Sequence, residues 1–473
     1  MIYNLTQYLE NAAEKYPEKT AFADDERAFS FAQLRKAARA AGAEIARRVG
    51  ELRRPVAVLT RHTVSDVVMF YAALYAGCFY VPIDAEAPDS HIAARLEALS
   101  PALTIEPESF MFPNSDFEGD APASLCTDSD PAYAIFTSGS TGAPKAAVIA
   151  HRSVINLTEW LCETFSFDSG TVFGNQTPFY FDASVAELFC TARAGATTHI
   201  LPRKLFSAPL RLMRQLDELG VNTIKWATAA FRLVALSGLF KKYTPQNLKT
   251  VLVGGENLTG KYLSLWQNAL PEVKFVNLYG PTETTVDCAY YIVDRRFADD
   301  EIVPIGGACR NTGLLLIDGQ IAVRGTCVGL GYWGEPERTK LSFVRNPFIG
   351  EYSDTIYLTG DLAEYNSRGE LVCLGRADSQ VKHQGSRIEL GEIEAAACAL
   401  EGVDIAAVCY DKVRSKILLF YEGAALEEAV SEKLAGRLPH YMQPSFTARL
   451  DVLPRLPNGK IDRVRLAAEG ASL

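Results

Sequence analysis

Amphipathic stretches and short apolar runs alternate along the first part of the chain. Apolar residues recur at helical spacing from Leu5 to Tyr16, which predicts an opening amphipathic helix. A hairpin follows, and Phe29–Phe31 lead into a predicted helix over Ala32–Val49. The next runs indicate a parallel βαβ unit, made of strand Val56–Leu59, helix Val64–Tyr75 and strand Cys78–Asp84.

The same alternation continues through the middle of the chain. The stretch from Glu106 to Pro131 is rich in Pro, Ser, Asp and Glu, so it is predicted to be a surface connection. Beyond it the predicted order is helix Ser153–Thr164, strand Thr171–Thr177, helix Ser184–Ala194, strand Thr197–Leu201, helix Pro209–Leu219, strand Thr223–Trp226, helix Ala230–Leu239, strand Lys249–Val253, helix Gly260–Ala269 and strand Lys274–Leu278.

The pattern changes twice near the C-terminus. Short strands separated by Pro and Gly begin near Ile302 and predict a small β unit, with strands Gly313–Ile317, Gln320–Val323, Thr355–Tyr357 and Glu370–Leu374. After Asp378 the predicted elements are helix Gly391–Leu400, strands Ala406–Tyr410 and Lys416–Tyr421, helix Leu426–Leu438 and strand Phe446–Leu450. We therefore expect an α/β protein with a large N-terminal domain of mixed and parallel sheets (1–377) and a small mobile α+β domain (378–473).

Composition narrows the class of protein. The 473 residues exceed one ordinary domain of ~100–200 residues, and 48% hydrophobic residues suffice for large cores. The formal net charge of −10 speaks against nucleic acid as the main partner. A local basic cluster is better explained as a solvated helix face and its exit; it consists of Arg35, Lys36, Arg39, Arg47, Arg48, Arg53 and Arg54.

The lack of a recognisable targeting signal and the spacing of the cysteines predict a cytoplasmic protein. The N-terminus lacks the basic flank and apolar core of a signal peptide, and no apolar run reaches the ~18 residues of a membrane span. The ten cysteines are scattered without C-x-x-C pairs, which is typical of reduced thiols in a cytosolic protein. We expect a cytoplasmic monomer with no membrane partner.

One loop between two predicted strands has the chemistry of a phosphate site. Its glycines let backbone N–H groups converge on an anion, its hydroxyls add donors, and its lysine adds a positive charge. The P-loop pattern is not met, because Ala146 follows the lysine and no helix begins there. The alternative is an ordinary Ser/Gly-rich surface turn. The loop reads Thr137-Ser138-Gly139-Ser140-Thr141-Gly142-Ala143-Pro144-Lys145.

This loop resembles the signature of the adenylate-forming superfamily, which includes acyl-CoA synthetases, firefly luciferase and adenylation domains of nonribosomal peptide synthetases. A second resembling stretch is Asn277-Leu278-Tyr279-Gly280-Pro281-Thr282-Glu283, and a third is Gly254-Gly255-Glu256. The resemblance implies that Tyr279 and the third stretch flank adenine, that Thr282 lies near the α-phosphate, and that Glu283 holds Mg²⁺. A carboxylate beside a polyphosphate is repulsive unless a hard cation joins them. The alternative for Glu283 is a capping residue in a strand-ending turn.

Four later stretches extend the resemblance almost to the end of the chain. It implies that Asp361 binds the ribose hydroxyls, that Arg376 contacts the nucleotide, and that Asp378 is the interdomain hinge. The run Gln380–Glu394 fits the superfamily except at Ser386, where a bulky aromatic residue is usual. In Leu453–Arg463 the resemblance implies that Lys460 binds the substrate carboxylate and the α-phosphate. The sequence Gly329–Gly334 also matches G-x-G-x-x-G, but its βαβ context is missing, so a structural role is predicted.

The stretch Phe181-Asp182-Ala183-Ser184 resembles the segment in which amino-acid-activating members place an aspartate against the substrate ammonium. Asp182 is the expected counterion; the alternative is that it caps the helix beginning at Ser184. The resemblance implies a side-chain pocket for a small or medium, polar side chain, with Trp226 taking up volume and Asp287 offering charge. The pocket residues are Ala183, Ala186, Trp226, Leu252, Gly254, Leu278, Val286 and Asp287.

The combined motifs imply an enzyme that uses ATP and Mg²⁺ to convert an amino acid to aminoacyl-AMP and then loads a carrier thiol. The chain ends soon after Lys460, so a separate phosphopantetheinylated carrier protein is the expected partner. Within enzymes, the alternatives are a D-alanine:carrier protein ligase for teichoic acids and an acyl-CoA ligase for a carboxylic acid without an amine. An inactive adenylate sensor or carrier-binding scaffold is the alternative from another class.

Overall fold

A computed structural model describes residues 2–111, 117, 120–137, 144–376, 380–383, 386–411, 413–455 and 461–471. The chain divides into two compact units. The first unit contains Met1–Asp84, Leu99–Ile135 and Ala146–Ala377. The second contains Asp378–Leu473 together with Ala85–Ala98 and Phe136–Lys145, two stretches that the sequence boundary assigns to the large domain.

Helices and strands alternate through the first part of the chain. The elements up to residue 150 are α1 (Thr6–Lys15), β1 (Thr20–Ala23), β2 (Ala28–Ser30), α2 (Phe31–Val49), β3 (Pro55–Thr60), α3 (Val64–Tyr75), β4 (Phe79–Asp84), α4 (Asp89–Leu99), β5 (Leu103–Ile105), β6 (Pro131–Thr137) and β7 (Lys145–Ala150). Those of the middle are α5 (His151–Phe165), β8 (Val172–Asn175), α6 (Ala183–Ala194), β9 (Thr197–Ile200), α7 (Pro209–Glu218), β10 (Thr223–Ala227), α8 (Thr228–Leu236), β11 (Thr250–Gly254), α9 (Gly260–Ala269), β12 (Lys274–Tyr279), β13 (Ala289–Ile292) and β14 (Gly307–Ala308).

Strands predominate after residue 310, and helices return near the C-terminus. The remaining elements are β15 (Thr312–Ile317), β16 (Gln320–Gly325), β17 (Gly331–Tyr332), α10 (Pro336–Ser342), β18 (Phe343–Arg345), β19 (Thr355–Tyr365), β20 (Leu371–Arg376), β21 (Gln380–His383), β22 (Ser386–Glu389), α11 (Leu390–Cys398), β23 (Val403–Asp411), β24 (Lys416–Gly423), α12 (Glu427–Ala435), β25 (Phe446–Arg449) and α13 (Arg463–Ala471).

Two large sheets and a smaller antiparallel sheet organise the strands before residue 377. The largest has the order β14-β13-β12-β11-β10-β8-β9-β1-β2, and its strands β8 to β12 are parallel. The second has the order β17-β7-β6-β4-β3-β5. The antiparallel sheet combines β15, β16, β18, β19 and β20 and corresponds to the predicted β unit. The predicted α/β class is therefore confirmed.

Local signals in the sequence explain where several elements begin and end. Helix α2 begins with a reciprocal capping box between Ser30 and Gln33, and it ends at Gly50, whose φ of 71° suits glycine. The predicted βαβ unit is also confirmed, because β3 and β4 pair in parallel on either side of α3 in the sequence. Helix α4 and strand β5 were not predicted, since their stretch has only a weak amphipathic pattern.

Two apolar clusters lie on opposite faces of the parallel strands. One contains Leu252, Val276 and Leu278 and includes residues of both large sheets and of α1, α2, α3, α5 and α6. The other contains Val253 and Phe275 together with residues of α7, α8 and α9. Successive residues of a strand point to opposite faces, so a shift of one residue decides which cluster a side chain enters.

The second unit has its own sheet and cores. Strands β21 and β22 form an antiparallel hairpin, and β23-β24-β25 form a separate sheet. Ile388, Ile393 and Leu419 belong to one apolar cluster, whereas Phe420 and Leu466 belong to another. This arrangement of helices and strands is the expected α+β type. Across the described parts of the chain, no helix has the length and apolar character needed to cross a bilayer.

Candidate active site

Three side chains predicted to hold the nucleotide meet between β12, β19 and β20. Tyr279, the last residue of β12, donates a hydrogen bond from Oη to Oδ2 of Asp361 at 2.6 Å. Arg376 lies opposite Asp361 in the β19–β20 ladder, with Nη1 3.2 Å from Asp361 Oδ1. The Asp361 side chain is only 4% exposed, so its carboxylate is fixed on both oxygens by defined donors. The structure thus brings together residues that lie far apart in the sequence.

Glycine at position 360 makes this arrangement possible. The sequence predicts a strand that ends at Tyr357, but strand β19 continues through Gly360 to Tyr365. The β19–β20 ladder shifts register just after Asp361. Gly360 has a φ of 76°, and a Cβ atom there would lie 2.3 Å from Nη2 of Arg376. A larger residue would displace the guanidinium group that contacts Asp361.

The predicted adenine segment is a loop between β11 and α9 that side chains of neighbouring elements anchor. Gly254 ends β11, and Gly255 adopts a φ of 97°. The Thr228 hydroxyl donates hydrogen bonds at 3.1 Å to the carbonyl oxygens of both Gly254 and Glu256. Sequence reasoning missed Thr228, because its role depends on the contact between α8 and this loop.

Asn277 lies in β12, the strand next to β11. The nitrogen of its side-chain amide is hydrogen-bonded, whereas the oxygen is not. Its Nδ2 donates to the carbonyl oxygens of Val303 and Pro304, at 3.2 and 2.9 Å. Its Oδ1 is buried and has no hydrogen-bond partner within the described residues. Buried polar atoms without partners are rare in folded proteins, so Oδ1 is a candidate acceptor for a ligand donor such as the amine of adenine. This atom fits the predicted nucleotide.

The buried carboxylate of Glu283 is held by a tyrosine from the Gly329–Gly334 stretch. Tyr332 donates from Oη to Oε1 of Glu283 at 2.7 Å, and the Gly329 N–H donates to the Glu283 carbonyl oxygen at 2.9 Å. Glu283 is 0% exposed and lies in a short turn, Thr282–Thr284. A structural role alone was expected for the glycine-rich stretch, but Tyr332 also orients the predicted metal carboxylate. The sequence offers no signal for this pair, which lies 49 residues apart.

The donor set around Glu283 suits Mg²⁺ bound mainly by a nucleotide. Among the described residues, no group of three or more His, Cys, Asp or Glu side chains could hold a metal by itself. Mg²⁺ in nucleotide enzymes usually takes one or two carboxylates and completes its shell with phosphate oxygens and water. A single oriented carboxylate therefore fits a metal that arrives with ATP.

Asp182 lies just before α6, but its side chain makes no capping hydrogen bond to that helix. The Thr282 hydroxyl lies nearby, and Lys225, Asp287 and Glu283 lie within electrostatic range. Burial raises the pKa of Asp182 above its ordinary value, although Thr282 and Lys225 act in the opposite direction. The structure therefore disfavours the capping alternative. It shows a carboxylate whose negative charge is only partly compensated.

Most of the predicted pocket residues share one face of the parallel sheet. Ala186, Leu252, Leu278 and Val286 belong to the same apolar cluster, and Ala183 packs against it. Gly254 pairs with Leu278 in the ladder, and Asp287 is buried nearby. Phe181 is half-buried, with its ring centroid 4.7 Å from that of Tyr180.

Trp226 does not join this group. Its indole lies in the other cluster, packed against Phe206 and Trp266, and Nε1 donates to the Gly174 carbonyl oxygen at 3.0 Å. The preceding residue, Lys225, points to the pocket face instead, because it pairs with Leu252 in the β10–β11 ladder. Trp226 therefore lies on the opposite face of β10 from most of the other residues predicted to line the pocket.

The turn that precedes Asp287 is tightly constrained. Thr285 and Val286 both have positive φ angles, 57° and 69°, which are unusual for β-branched residues. The Thr285 hydroxyl donates to the Cys327 carbonyl oxygen at 2.6 Å, and a Cβ atom on Gly280 would lie 2.2 Å from the Val286 carbonyl oxygen. Strained backbone of this kind is found where the surrounding structure fixes functional side chains.

The structure describes only the two ends of the predicted phosphate loop, and several other predicted functional residues lie outside the described residues. Thr137 ends β6 and Lys145 begins β7, and the Thr137 hydroxyl is buried without a hydrogen-bond partner in the described part of the chain. The following predicted residues lie outside the described residues: Ser138, Gly139, Ser140, Thr141, Gly142, Asp378 and Lys460. Ser386 is described and buried, at the start of β22.

Comparison with protein families identifies one match to most of the chain. A family model described as AMP-binding enzyme matches residues 9–333. Among similar proteins, tyrocidine synthase 2 of Brevibacillus parabrevis is 30% identical over 500 aligned residues, which cover 98% of this chain and 14% of that protein. Tyrocidine synthase 1 of the same organism is 28% identical, and the alignment covers 98% of this chain and 45% of that protein. The chain thus spans less than half the length of these relatives.

Solved structures share the fold. One is an NRPS protein containing adenylation and PCP domains, with a TM-score of 0.84, 24% identity and coverage of 98% of this chain and 84% of that chain. Another is the Vibrio cholerae adenylation domain AlmE in complex with glycyl-adenosine-5'-phosphate, with a TM-score of 0.84, 19% identity and coverage of 100% and 98%. At these identities the similarity establishes the fold alone.

Proposed function

The chain belongs to the AMP-binding enzyme family, and we propose that it activates an amino acid as aminoacyl-AMP and transfers the aminoacyl group to a carrier protein. In the first step a carboxylate oxygen of the amino acid attacks the α-phosphorus of ATP, and pyrophosphate leaves. In the second step the phosphopantetheine thiol of a separate carrier protein attacks the acyl carbon, loses its proton and releases AMP. ATP use and ligase chemistry follow from the family; the amino acid and the carrier are the proposed parts.

The observation that carries the amino-acid assignment is the state of the Asp182 carboxylate. It is half-buried and does not cap α6, and Lys225, a cation within its electrostatic range, is already 3.3 Å from Asp287. Charged groups that are partly desolvated and incompletely paired cluster at functional sites. An ammonium group from the substrate would supply the missing countercharge. An acid without an amine would leave this carboxylate uncompensated, which disfavours the acyl-CoA ligase alternative.

The other site residues have roles that match adenylation. We assign Tyr279, Asn277 and the Gly254–Glu256 loop to adenine, and Asp361 with Arg376 to the ribose. Thr282 lies near Asp182 and next to Glu283 in the sequence, so it lies between the proposed amine site and the proposed phosphate site. Glu283 would hold Mg²⁺, which when bound offsets the negative charge of the phosphates.

Three predicted parts of the enzyme are assigned by motif. We propose that the loop Thr137–Lys145 binds the phosphates, that Lys460 contacts the substrate carboxylate and the α-phosphate, and that Asp378 is the hinge of a mobile domain, 378–473. The carrier assignment is supported by the shared fold with an NRPS protein that contains adenylation and PCP domains. A monomeric cytoplasmic enzyme that meets its carrier as a separate protein stays a prediction.

Amino-acid-dependent exchange of labelled pyrophosphate into ATP tests the proposed reaction. The panel should contain L- and D-amino acids, glycine and the matching des-amino acids, each with and without Mg²⁺. We expect exchange with a small set of amino acids and none with des-amino acids. Exchange with D-alanine alone would favour the teichoic acid ligase alternative. Exchange only with des-amino acids would contradict the proposal, and absence of all exchange would favour an inactive sensor or scaffold.

Tyr332→Phe tests the assignment of Glu283 to the metal. Loss of the 2.7 Å hydrogen bond to Glu283 should weaken Mg²⁺ binding in the ATP complex by about 10- to 100-fold, because partners of a metal ligand typically contribute that much. The direct measurement is the affinity for Mn²⁺ in the presence of ATP, read by electron paramagnetic resonance, alongside the Mg²⁺ dependence of exchange.

Tyr421→Phe is the matched control for this variant. Tyr421 is also buried and donates a hydrogen bond at 2.7 Å, to the Ala425 carbonyl oxygen in the second unit. Each variant loses one tyrosine hydrogen bond, and Tyr332→Phe should lower the melting temperature more, because its bond goes to a buried carboxylate and bonds to charged groups contribute more to stability. If the two variants bind Mn²⁺ equally well, Tyr332 only stabilises the fold and Glu283 does not hold the metal.

A further inference from the structure

Two oppositely charged side chains lie buried on the pocket face of the large sheet, and the chemistry of adenylation does not require them. Lys225 Nζ lies 3.3 Å from Asp287 Oδ2, and the two side chains are 7% and 5% exposed. Neither is explained by the binding of ATP or of the substrate ammonium. Because the preceding proposal places the substrate side chain on this face, the inference below rests on that proposed function.

A buried ion pair at this place has to be explained. Replacing such a pair by apolar residues of similar volume is often neutral or stabilising, because desolvation of the two charges offsets their attraction. The neighbours of Lys225 on this face, Leu252 and Val276, are apolar, so a leucine at 225 would fit the pattern. The strained turn at Thr285 and Val286 also holds Asp287 in place at an energetic cost. Both features indicate a functional role for the pair.

Two buried polar atoms within electrostatic range of this pair, one from Tyr133 and one from Glu187, have no hydrogen-bond partner among the described residues. Asp287 Oδ2 has the ion pair with Lys225 but no hydrogen bond of acceptable geometry in the described structure, and Glu187 Oε1 has no partner there. Tyr133 Oη is likewise unpartnered and lies within electrostatic range of both Asp182 and Asp287. Tyr133 and Glu187 are 0% and 2% exposed. Donors and acceptors buried in this way need a ligand or ordered water to satisfy them.

The charges around Lys225 set the polarity that a substrate side chain can have. Asp182, Glu187 and Asp287 all lie within electrostatic range of the Lys225 ammonium. Glu187 is further engaged by the Asn175 amide, which in turn contacts His62 at 2.6 Å. A carboxylate on the substrate side chain would add a further negative charge beside these three acidic residues, which is electrostatically unfavourable. An ammonium group would compete with Lys225 for Asp287. A neutral side chain avoids both penalties.

A primary carboxamide carries both a hydrogen-bond acceptor and hydrogen-bond donors, so it can bind the cation and the anion of an ion pair at the same time. Its carbonyl oxygen can accept from the Lys225 ammonium or the Tyr133 hydroxyl, and its N–H groups can donate to Asp287 or Glu187. Ala183, Ala186 and Gly254 have small side chains or none, whereas Leu252, Leu278 and Val286 supply apolar side chains suited to a short methylene stem. We propose that this pocket selects an α-amino acid whose side chain ends in a primary carboxamide, with Lys225 and Asp287 as the specificity-determining pair.

The first test uses the wild-type chain and isosteric substrates. Pyrophosphate exchange is measured with asparagine and glutamine, with aspartate and glutamate, with serine and threonine, and with leucine and methionine. We expect kcat/KM for one carboxamide to exceed that of its isosteric acid and of the apolar amino acids by at least about 100-fold, because sites built for hydrogen bonds reject analogues that lack them. A preference for an acidic, hydroxylated or apolar amino acid would overturn the inference and leave the proposed function standing. Exchange with other amino acids but none of these eight would overturn the inference alone, and exchange with no amino acid of the wider panel would overturn both.

The second test removes the pair without leaving an unpaired buried charge. The double variant Lys225→Met/Asp287→Leu should fold and should still exchange pyrophosphate, but its preference should shift to methionine or leucine, with the carboxamide advantage reduced to about tenfold or less. The control is Arg193→Met/Glu159→Leu, which removes a half-buried ion pair of 2.9 Å between α5 and α6. It should retain the wild-type preference. An unchanged carboxamide preference in the Lys225/Asp287 variant would show that the pair does not determine specificity.

Discussion

Asp182→Asn is expected to lower kcat/KM for the amino-acid substrate by about 30- to 5,000-fold, which corresponds to about 2–5 kcal/mol for breaking a buried charge pair. The neutral amide keeps the size of the side chain and one acceptor oxygen, so only the countercharge to the ammonium is lost. The des-amino analogue of the best substrate should be affected much less. Pyrophosphate exchange with both compounds measures the difference.

Stability distinguishes this role from a structural one. Burial raises the pKa of Asp182 in the folded chain, so the charged carboxylate destabilises the fold. This penalty develops as the pH rises from the pKa of Asp182 in the unfolded chain to its higher pKa in the folded chain. Asp182→Asn should therefore keep or raise the melting temperature at neutral pH. A helix-capping role is tested by Asp182→Ala, for which it predicts a loss of ~1 kcal/mol, because asparagine caps a helix about as well as aspartate and alanine does not. Equal losses for amino acid and des-amino analogue, together with a lower melting temperature, would assign Asp182 to the fold.

Asp66→Asn is the matched control for Asp182→Asn. Asp66 is a buried carboxylate that accepts hydrogen bonds from the backbone N–H groups of Thr63 and Arg61, at 2.8 and 3.2 Å. Burial raises the pKa of Asp66 to about 6, so its replacement, like Asp182→Asn, removes a desolvated carboxylate and should keep or raise the melting temperature at neutral pH. It should not change the ratio of kcat/KM between an amino acid and its des-amino analogue.

Lys460→Ala is expected to slow pyrophosphate exchange by about 10²–10³-fold, the typical effect of removing one donor that stabilises charge in a transition state. Its role follows from the resemblance of Leu453–Arg463 to the superfamily, because Lys460 lies outside the described residues. Transfer of the aminoacyl group from preformed aminoacyl-AMP to a carrier thiol should be nearly unaffected, since pyrophosphate has already left. Lys433→Ala, at an exposed position of α12, is the control and should change neither step.

Asp378→Pro should give the converse result if Asp378 is the hinge of a mobile domain. Proline fixes φ, so the variant should spare pyrophosphate exchange and slow carrier loading. Single-turnover measurements of the two half-reactions separate these outcomes. If Lys460→Ala and Asp378→Pro both impair the two half-reactions in parallel, the assignment of each residue to one half-reaction is wrong.

The sequence alone determined the fold class and the order of most elements. Period-2 and period-3.6 patterns are local, and the strands and helices from Val56 to Tyr279 follow them closely, because a buried parallel strand needs a continuous apolar run. The ordered motifs also led to the family, since glycines and charged residues at fixed spacing are local features as well. Helix α4, which lacks a strong apolar stripe, shows where this kind of signal ends.

Tertiary structure alone decided which side chains meet. Trp226 and Lys225 are adjacent in the sequence, and only the β10–β11 register shows that the lysine, not the tryptophan, joins Asp287 on the pocket face. The hydrogen bond between Tyr332 and Glu283 joins strand β17 to the turn Thr282–Thr284, and neither segment's sequence pattern predicts the other as its partner. A local pattern fixes the conformation of a segment, whereas its partner depends on strand register and on packing between distant segments. The charge and hydrogen-bonding character of the pocket could therefore be recognised only in the folded chain.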